Sequence, residues 1–324
     1  MTRLACHEQA RRKDAMTAIA TLTMNPTIDI SYAVDRVFHT HKMRASGEKY
    51  APGGGGINVA RVFVRLGGNA RCHYLAGGAT GAALDGLLDR HQLVRHRIPI
   101  AGDTRVATTV LERATGKEYR FTPAGPEVSP GEWQQALALA ETADCEWFVA
   151  SGSLPQGVPA DFYARLSAIL GRRGIPFVLD TSGEALKAGL AGGGVALVKP
   201  SQGELQQFAG RALTTARDLA EAASAIVAAG QARMVAVTMG HEGAVLAHAG
   251  GTLFLPALAI EAQSAVGAGD SFLAAMVHAL ARGDAPVEAF RFGIAAGAAA
   301  VLAPGTGLAH PEDIDRLFPE VASA

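Results

Sequence analysis

The sequence predicts an α/β protein: a mostly parallel central sheet with helices on both faces, plus a small β-sheet lid. Three observations carry this. Short β-rich runs alternate with helix-length segments, the pattern of parallel strands joined by crossover helices. The β-rich runs end in small or polar residues, where parallel sheets bind ligands. Two stretches break the rhythm, alternating β-branched or aromatic residues with polar ones, as half-buried strands do.

The elements follow in chain order. Residues 1–16 are polar, mixed in charge and lack the apolar core of a signal peptide. They are expected to be a disordered extension, with either Met1 or Met16 as the start, ahead of one domain at 17–324. The β-rich runs are 19–24, entering Asn-Pro-Thr-Ile-Asp; 72–76, entering Gly-Gly-Ala-Thr; and 147–150, entering Ser-Gly-Ser-Leu-Pro. They continue with 177–179, entering Asp-Thr-Ser-Gly; 195–198, entering Lys-Pro-Ser-Gln-Gly-Glu; and 234–237, entering Thr-Met-Gly-His-Glu-Gly. Helix-length segments lie at 57–66, 130–143, 160–171 and 215–229, and an apolar helical run covers 272–281. The lid strands are expected within 30–51 and 105–121, with turns at Gly47 and at Thr115-Gly116. One face of that sheet has no helix to cover it, so it is expected to close over a ligand or pair with a second subunit.

Composition narrows the function. The 324 residues are 49% hydrophobic and 18% charged, which suits a globular core. A formal net charge of -1 gives no bulk attraction to nucleic acid or anionic membrane. No apolar run is long enough to span a bilayer. Cys6, Cys72 and Cys145 form no metal spacing, and a reducing cytoplasm is expected.

Four constellations carry chemistry. The stretch from Pro52 to Arg61 holds four consecutive glycines before a helix start, where bare N–H groups attract anions, and Asn58 adds a side-chain donor and acceptor. It is neither a GxxxxGK[ST] nor a GxGxxG motif. Lys42 and Arg105, in the lid stretches, are surface cations or a pair that grips a phosphate. Glu204 either favours a helix start or orders water around Mg²⁺, which keeps most of its waters. The stretch Val-Gly-Ala-Gly-Asp-Ser at 266–271 keeps the backbone bare before a helix and then places a carboxylate there. If Gly267, Ala268 and Gly269 cradle a transferring phosphoryl group, Asp270 is placed to accept the proton of the attacking hydroxyl. The plain alternative for Asp270 is a helix cap.

These stretches, with Ser-Gly-Ser-Leu-Pro in the middle, resemble the ribokinase-like, PfkB-type sugar kinases from about residue 19 to 308. The run from Thr21 to Asp29 and the phrase Glu118-Tyr-Arg-Phe resemble its phosphosugar branch. The four-glycine run is most similar to the minor ATP-dependent 6-phosphofructokinases, since the fructose-1-phosphate kinases tend to carry a Lys there. The resemblance implies a ribokinase-like three-layer α/β/α fold and transfer of phosphoryl from ATP to the 1-hydroxyl of fructose 6-phosphate. It implies Asp270 as base and Gly267, Ala268 and Gly269 as the anion hole. Asp29, Gly54, Gly55 and Asn58 would hold sugar hydroxyls, with Ser153 close by, and Lys42 and Arg105 would face the sugar phosphate. Lys199, Ser201 and Glu204 would serve the ATP phosphates and Mg²⁺, Glu204 through water. Thr238, Gly240 and Gly243 would line the nucleotide site, with Ala296 and Ala300 near adenine. It also implies a homodimer through the lid strands, and in some members a monovalent cation such as K⁺. The family usually has Asn-x-x-Glu where this chain has Ser201-Gln-Gly-Glu204, so a working enzyme with weaker MgATP binding or an altered Mg²⁺ dependence is expected. Tagatose-6-phosphate kinase and 1-phosphofructokinase remain open, as does a non-catalytic sugar-phosphate sensor. A nucleoside or plain-sugar kinase would have no use for two lid cations.

Overall fold

The computed structural model describes residues 18–303, 305 and 307–321; the expected extension at 1–16, and Cys6 within it, lie outside them. The strands are β1 (Ala18–Thr23), β2 (Thr27–Val34), β3 (Ser46–Gly53), β4 (Asn69–Ala76), β5 (Val94–Pro99), β6 (Arg105–Glu112) and β7 (Lys117–Phe121). They continue with β8 (Trp147–Ser151), β9 (Phe177–Asp180), β10 (Val195–Val198), β11 (Ala232–Thr238), β12 (Gly243–His248) and β13 (Gly251–Pro256). The helices are α1 (Gly55–Arg65), α2 (Gly78–Leu88), α3 (Pro130–Thr142), α4 (Phe162–Arg172) and α5 (Gly183–Ala191). They continue with α6 (Gln202–Ala209), α7 (Ala216–Ala228), α8 (Ala268–Ala281), α9 (Pro286–Val301) and α10 (Pro311–Leu317).

A nine-stranded sheet runs β13-β12-β11-β10-β9-β8-β1-β4-β5. From β11 to β5 every pairing is parallel, and β12 and β13 add an antiparallel edge. Alternation of side chains along each strand divides the core in two. Ile19, Val149, Val178 and Leu197 pack with α1, α2, α8, α9 and α10 on one face. Their neighbours Ala20, Phe148, Phe177 and Val198 pack with α3, α4, α5, α6 and α7 on the other. Several helix starts are capped as their sequences dictate: Ser129 with Glu132 opens α3, and Thr215 with Asp218 opens α7, each as a reciprocal capping box.

The second sheet runs β3-β2-β6-β7. It begins at Thr27, three residues earlier than the alternation suggests, because β2 follows β1 after only three residues. Gly47 corrects the expected turn. It lies one residue inside β3 at φ 67°, where the pairing with β2 shifts register, and so acts as a β-bulge. The β2–β3 connection is the exposed stretch 35–45. The Thr115-Gly116 turn is as expected, with Gly116 at φ 69°. Strands β5, β12 and β13 are not apparent from the sequence; β5 reads Val-Arg-His-Arg-Ile-Pro and is mostly exposed, so it lacks a strong apolar pattern. Among the described residues, no helix is long and apolar enough to cross a membrane.

Candidate active site

The carboxyl ends of the parallel strands and the start of α8 converge on one cleft beside the small sheet. Helix α1 packs on α8, so the two glycine-opened N-termini meet there. Each glycine of the early run is needed for close approach. A Cβ on Gly53 would run into the Asp29 carboxylate, on Gly54 into Thr23, on Gly55 into Ser151 Oγ, and on Gly56 into Thr23 Oγ1 and the Leu22 carbonyl. The run is therefore a packed joint, and it keeps the first N–H groups of α1 bare.

The late motif is built the same way. Gly267 precedes α8 at φ 77°, a left-handed conformation that favours glycine. Asp270 sits in the first turn, partly accessible from the cleft, and accepts a 2.8 Å hydrogen bond from Asn58 Nδ2 on its Oδ2. Burial, together with the nearby Asp180 carboxylate, pushes its pKa up to about 6 against the Asn58 hydrogen bond and the Lys199 charge. At neutral pH a carboxyl of that pKa is about nine parts in ten ionised.

Lys199 follows β10 and is buried, its Nζ 3.1 Å from Asp180 Oδ1. Burial disfavours its ammonium, but Asp180 and Asp270 outweigh this and hold the pKa above its usual value. The same Nζ stands beside the backbone that opens α8, 3.4 Å from where a Cβ on Gly269 would lie. Asp180 ends β9, and its other oxygen accepts a 2.9 Å bond from Ser151 Oγ.

On the lid side, Asp29 in β2 lies opposite Ala51 and Ala107. Burial raises its pKa to about 6 despite Arg105, a Thr27 hydrogen bond and Arg61. Arg105 donates to the carbonyls of Asn25 (2.8 Å) and Pro123 (3.0 Å), which fixes its guanidinium at the cleft edge. Lys42 is exposed in the 35–45 connection, and no hydrogen bond or ion pair among the described residues ties it to this cluster. Ser153 is exposed and accepts a 3.3 Å bond from Asn25 Nδ2.

Ser201 and Glu204 form a capping box at α6. Glu204 Oε2 accepts from the Ser201 N–H (2.7 Å) and Oγ (2.9 Å), and Ser201 Oγ accepts from the Glu204 N–H (3.3 Å). One Glu204 oxygen is thus used as a cap, leaving Oε1 free for a water. Thr238 pairs with Ser201 across an isolated bridge, and Gly240 (φ 59°) opens a one-turn 3₁₀ helix beside it that Gly243 (φ 128°) follows. Ala296 and Ala300 require correction. Spaced one helical turn apart, both face the core at 0% exposure, so they present no surface to a base. Gly297 and Ala298 are the accessible positions on that stretch of α9.

Three participants were not singled out from the sequence: Asn25, Arg61 and Asp180. Asp180 was within reach, since it stands in the Asp-Thr-Ser-Gly that ends β9. Arg61 carried a weaker signal, a charge on the otherwise apolar face of α1 three residues after Asn58.

This arrangement suits a phosphoryl-transfer site. Bare N–H groups of α8 and the Lys199 ammonium offer positive charge at one point, with a carboxylate beside them. Among the described residues, no three His, Cys, Asp or Glu side chains gather to hold a metal. Glu204, whose Oε1 is not used by the cap, could hold a water of Mg²⁺ carried on substrate phosphates, since Mg²⁺ keeps most of its waters.

The comparisons with known proteins agree with the geometry. The pfkB family carbohydrate kinase model matches residues 21–313. An ATP-dependent 6-phosphofructokinase isozyme 2 of Mycobacterium tuberculosis is 41% identical over 313 residues, covering 96% of this chain and 92% of the relative. The enzyme of the same name from Escherichia coli is 37% identical, covering 94% and 98%. The crystal structure of Escherichia coli phosphofructokinase-2 in complex with fructose-6-phosphate superposes with a TM-score of 0.89 at 35% identity, covering 95% of this chain and all of that one. The same enzyme in complex with potassium gives 0.90 at 37% identity, covering 94% and 99%. The nine-stranded, mostly parallel sheet, the second small sheet and the glycine-opened helices are thus those of a known group, and the chain belongs to the pfkB family of carbohydrate kinases.

Proposed function

We propose that this chain is an ATP-dependent 6-phosphofructokinase. It transfers the γ-phosphoryl of ATP to the 1-hydroxyl of fructose 6-phosphate, giving fructose 1,6-bisphosphate and ADP. The observation that carries the proposal is the Asn58–Asp270 pair at the glycine-opened start of α8, with Lys199 beside it. The relatives named above supply the choice of sugar phosphate.

Asp29 and Asn58, with the backbone of Gly54 and Gly55 and with Ser153 nearby, hold the sugar hydroxyls. Arg105 faces the sugar phosphate, a task its planar fork suits. Lys42 belongs to this group only if the exposed 35–45 connection closes onto the sugar. Asp270 holds the 1-hydroxyl in line and accepts its proton late, because a carboxylate of pKa about 6 is too weak to ionise an alcohol beforehand. The N–H groups of Gly267, Ala268 and Gly269 and the Lys199 ammonium stabilise charge on the moving phosphoryl. Thr238, Gly240 and Gly243 line the nucleotide side, with Ser201 and Glu204 near its phosphates. Mg²⁺ bound with ATP supplies further neutralisation of the phosphate oxygens. The relative solved in complex with potassium supports K⁺ binding here.

The lid exposes Tyr50 and Phe121 on one face, in register through Ile30 and Thr108, and we take this apolar surface as a homodimer contact in the cytoplasm. Sedimentation of the wild type and of Phe121→Glu tests the dimer. The function is tested by ADP release from MgATP with fructose 6-phosphate, tagatose 6-phosphate, fructose 1-phosphate, fructose and adenosine. The highest kcat/KM is expected with fructose 6-phosphate. Binding of sugar phosphate without turnover on any of them would instead point to a sensor.

A further inference from the structure

Helix α1 buries a cation that the roles above do not use. Arg61 is 8% exposed, in the turn after Asn58. One of its terminal nitrogens donates to the Pro52 carbonyl (3.1 Å) and to Asn58 Oδ1 (3.2 Å). Arginine has donors and no acceptor, so the atom of Asn58 that faces it must be the oxygen. The amide nitrogen is thereby turned the other way, onto Asp270 Oδ2 at 2.8 Å. The ionised Asp270 carboxylate, which only accepts, selects the same amide nitrogen, so Arg61 and Asp270 hold the Asn58 amide from its two ends. The reversed amide would set oxygen against oxygen.

We infer that Arg61 is a positioning residue for phosphoryl transfer: by locking the Asn58 amide it ties Asp270 Oδ2 to a donor and leaves Oδ1 free for the acceptor hydroxyl. This rests on Asp270 being the base. Charged groups facing Asp270 include Asp180, Asp29, Lys199 and Arg61. Loss of Arg61 removes a cation and weakens the one hydrogen bond that favours the ionised carboxylate, so the Asp270 pKa rises.

The test uses the full chain with fructose 6-phosphate and MgATP. Arg61→Met is expected to lower kcat about 10- to 100-fold, the scale of a hydrogen bond to a charged group. It should also move the acid limb of kcat up by about one pH unit. Arg61→Lys, which keeps the charge and one donor, is expected to recover much of both. In an Asn58→Ala background, Arg61→Met should cost less than about 3-fold, because its target is gone. An undiminished cost in that background, or an unmoved acid limb, would overturn the inference and leave Arg61 as a tie to Pro52. If Arg61→Met does not fold, Arg61→Lys decides alone: a loss in the wild type with no further loss relative to Asn58→Ala supports the inference, and equal fold losses in the two backgrounds refute it. Failure of the base assignment is separable, since it appears as near-normal turnover in Asp270→Asn.

Discussion

Replacing Asp270 by Asn should stabilise the protein while disabling it. The carboxyl is raised from 3.8 to about 6 by burial and by Asp180. One pKa unit is about 1.4 kcal/mol, so ionising Asp270 costs about 3 kcal/mol more in the folded chain than in the unfolded one. A folded pKa above the unfolded value means stability is greatest below pH 3.8 and declines as pH rises through about 6. Asn mimics the neutral acid and can still accept the Asn58 hydrogen bond. The gain should therefore reach about 3 kcal/mol at pH 8 and fall to about 1.6 kcal/mol at pH 5, where the wild-type carboxyl is mostly protonated when folded. For a chain of this size, 3 kcal/mol is a Tm rise of about 5 °C. Turnover should drop by about 10² or more, the scale of losing a positioned base. Paired melts of the two proteins at pH 8 and pH 5, with kcat in parallel, make the check. A stability difference that is absent, or equal at both pH values, would refute the account of Asp270 as a strained, buried carboxylate.

Other perturbations have distinct signatures. Arg105→Ala should raise the KM for fructose 6-phosphate about 10-fold or more with a smaller effect on kcat; an unchanged KM removes Arg105 from the site. Ser201→Asn keeps a good helix cap and adds an amide, so melting should hold steady while the apparent affinity for MgATP improves; no change in affinity or Mg²⁺ dependence would show that the shorter side chain costs nothing. Gly55→Ala drives a methyl into Ser151 Oγ and should cost about 1–3 kcal/mol in a denaturant titration. In an initial-rate assay at fixed ionic strength, exchanging K⁺ for a large organic cation should slow turnover.

The chain's pattern alone determined the parallel sheet, because runs such as 147–150 and 195–198 carry their burial in their own composition and end in the polar residues that meet in the cleft. It also marked Asp270, the glycines before it, and Asn58, because bare backbone at a helix start is a local property. Tertiary structure decided the rest. Gly47 signals positive φ in the sequence without saying whether a turn or a bulge uses it, and the pairing of β3 with β2 makes it a bulge. The resemblance puts Ala296 and Ala300 near adenine, but both are buried, because helical phase relative to the core is set by the packing of α9 on α8. Asp180 and Lys199 stand 19 residues apart in the sequence and 3.1 Å apart in space, joined only because β9 and β10 are neighbours in the sheet. The Arg61–Asn58–Asp270 relay spans 209 residues from end to end, and its geometry exists only where the starts of α1 and α8 meet.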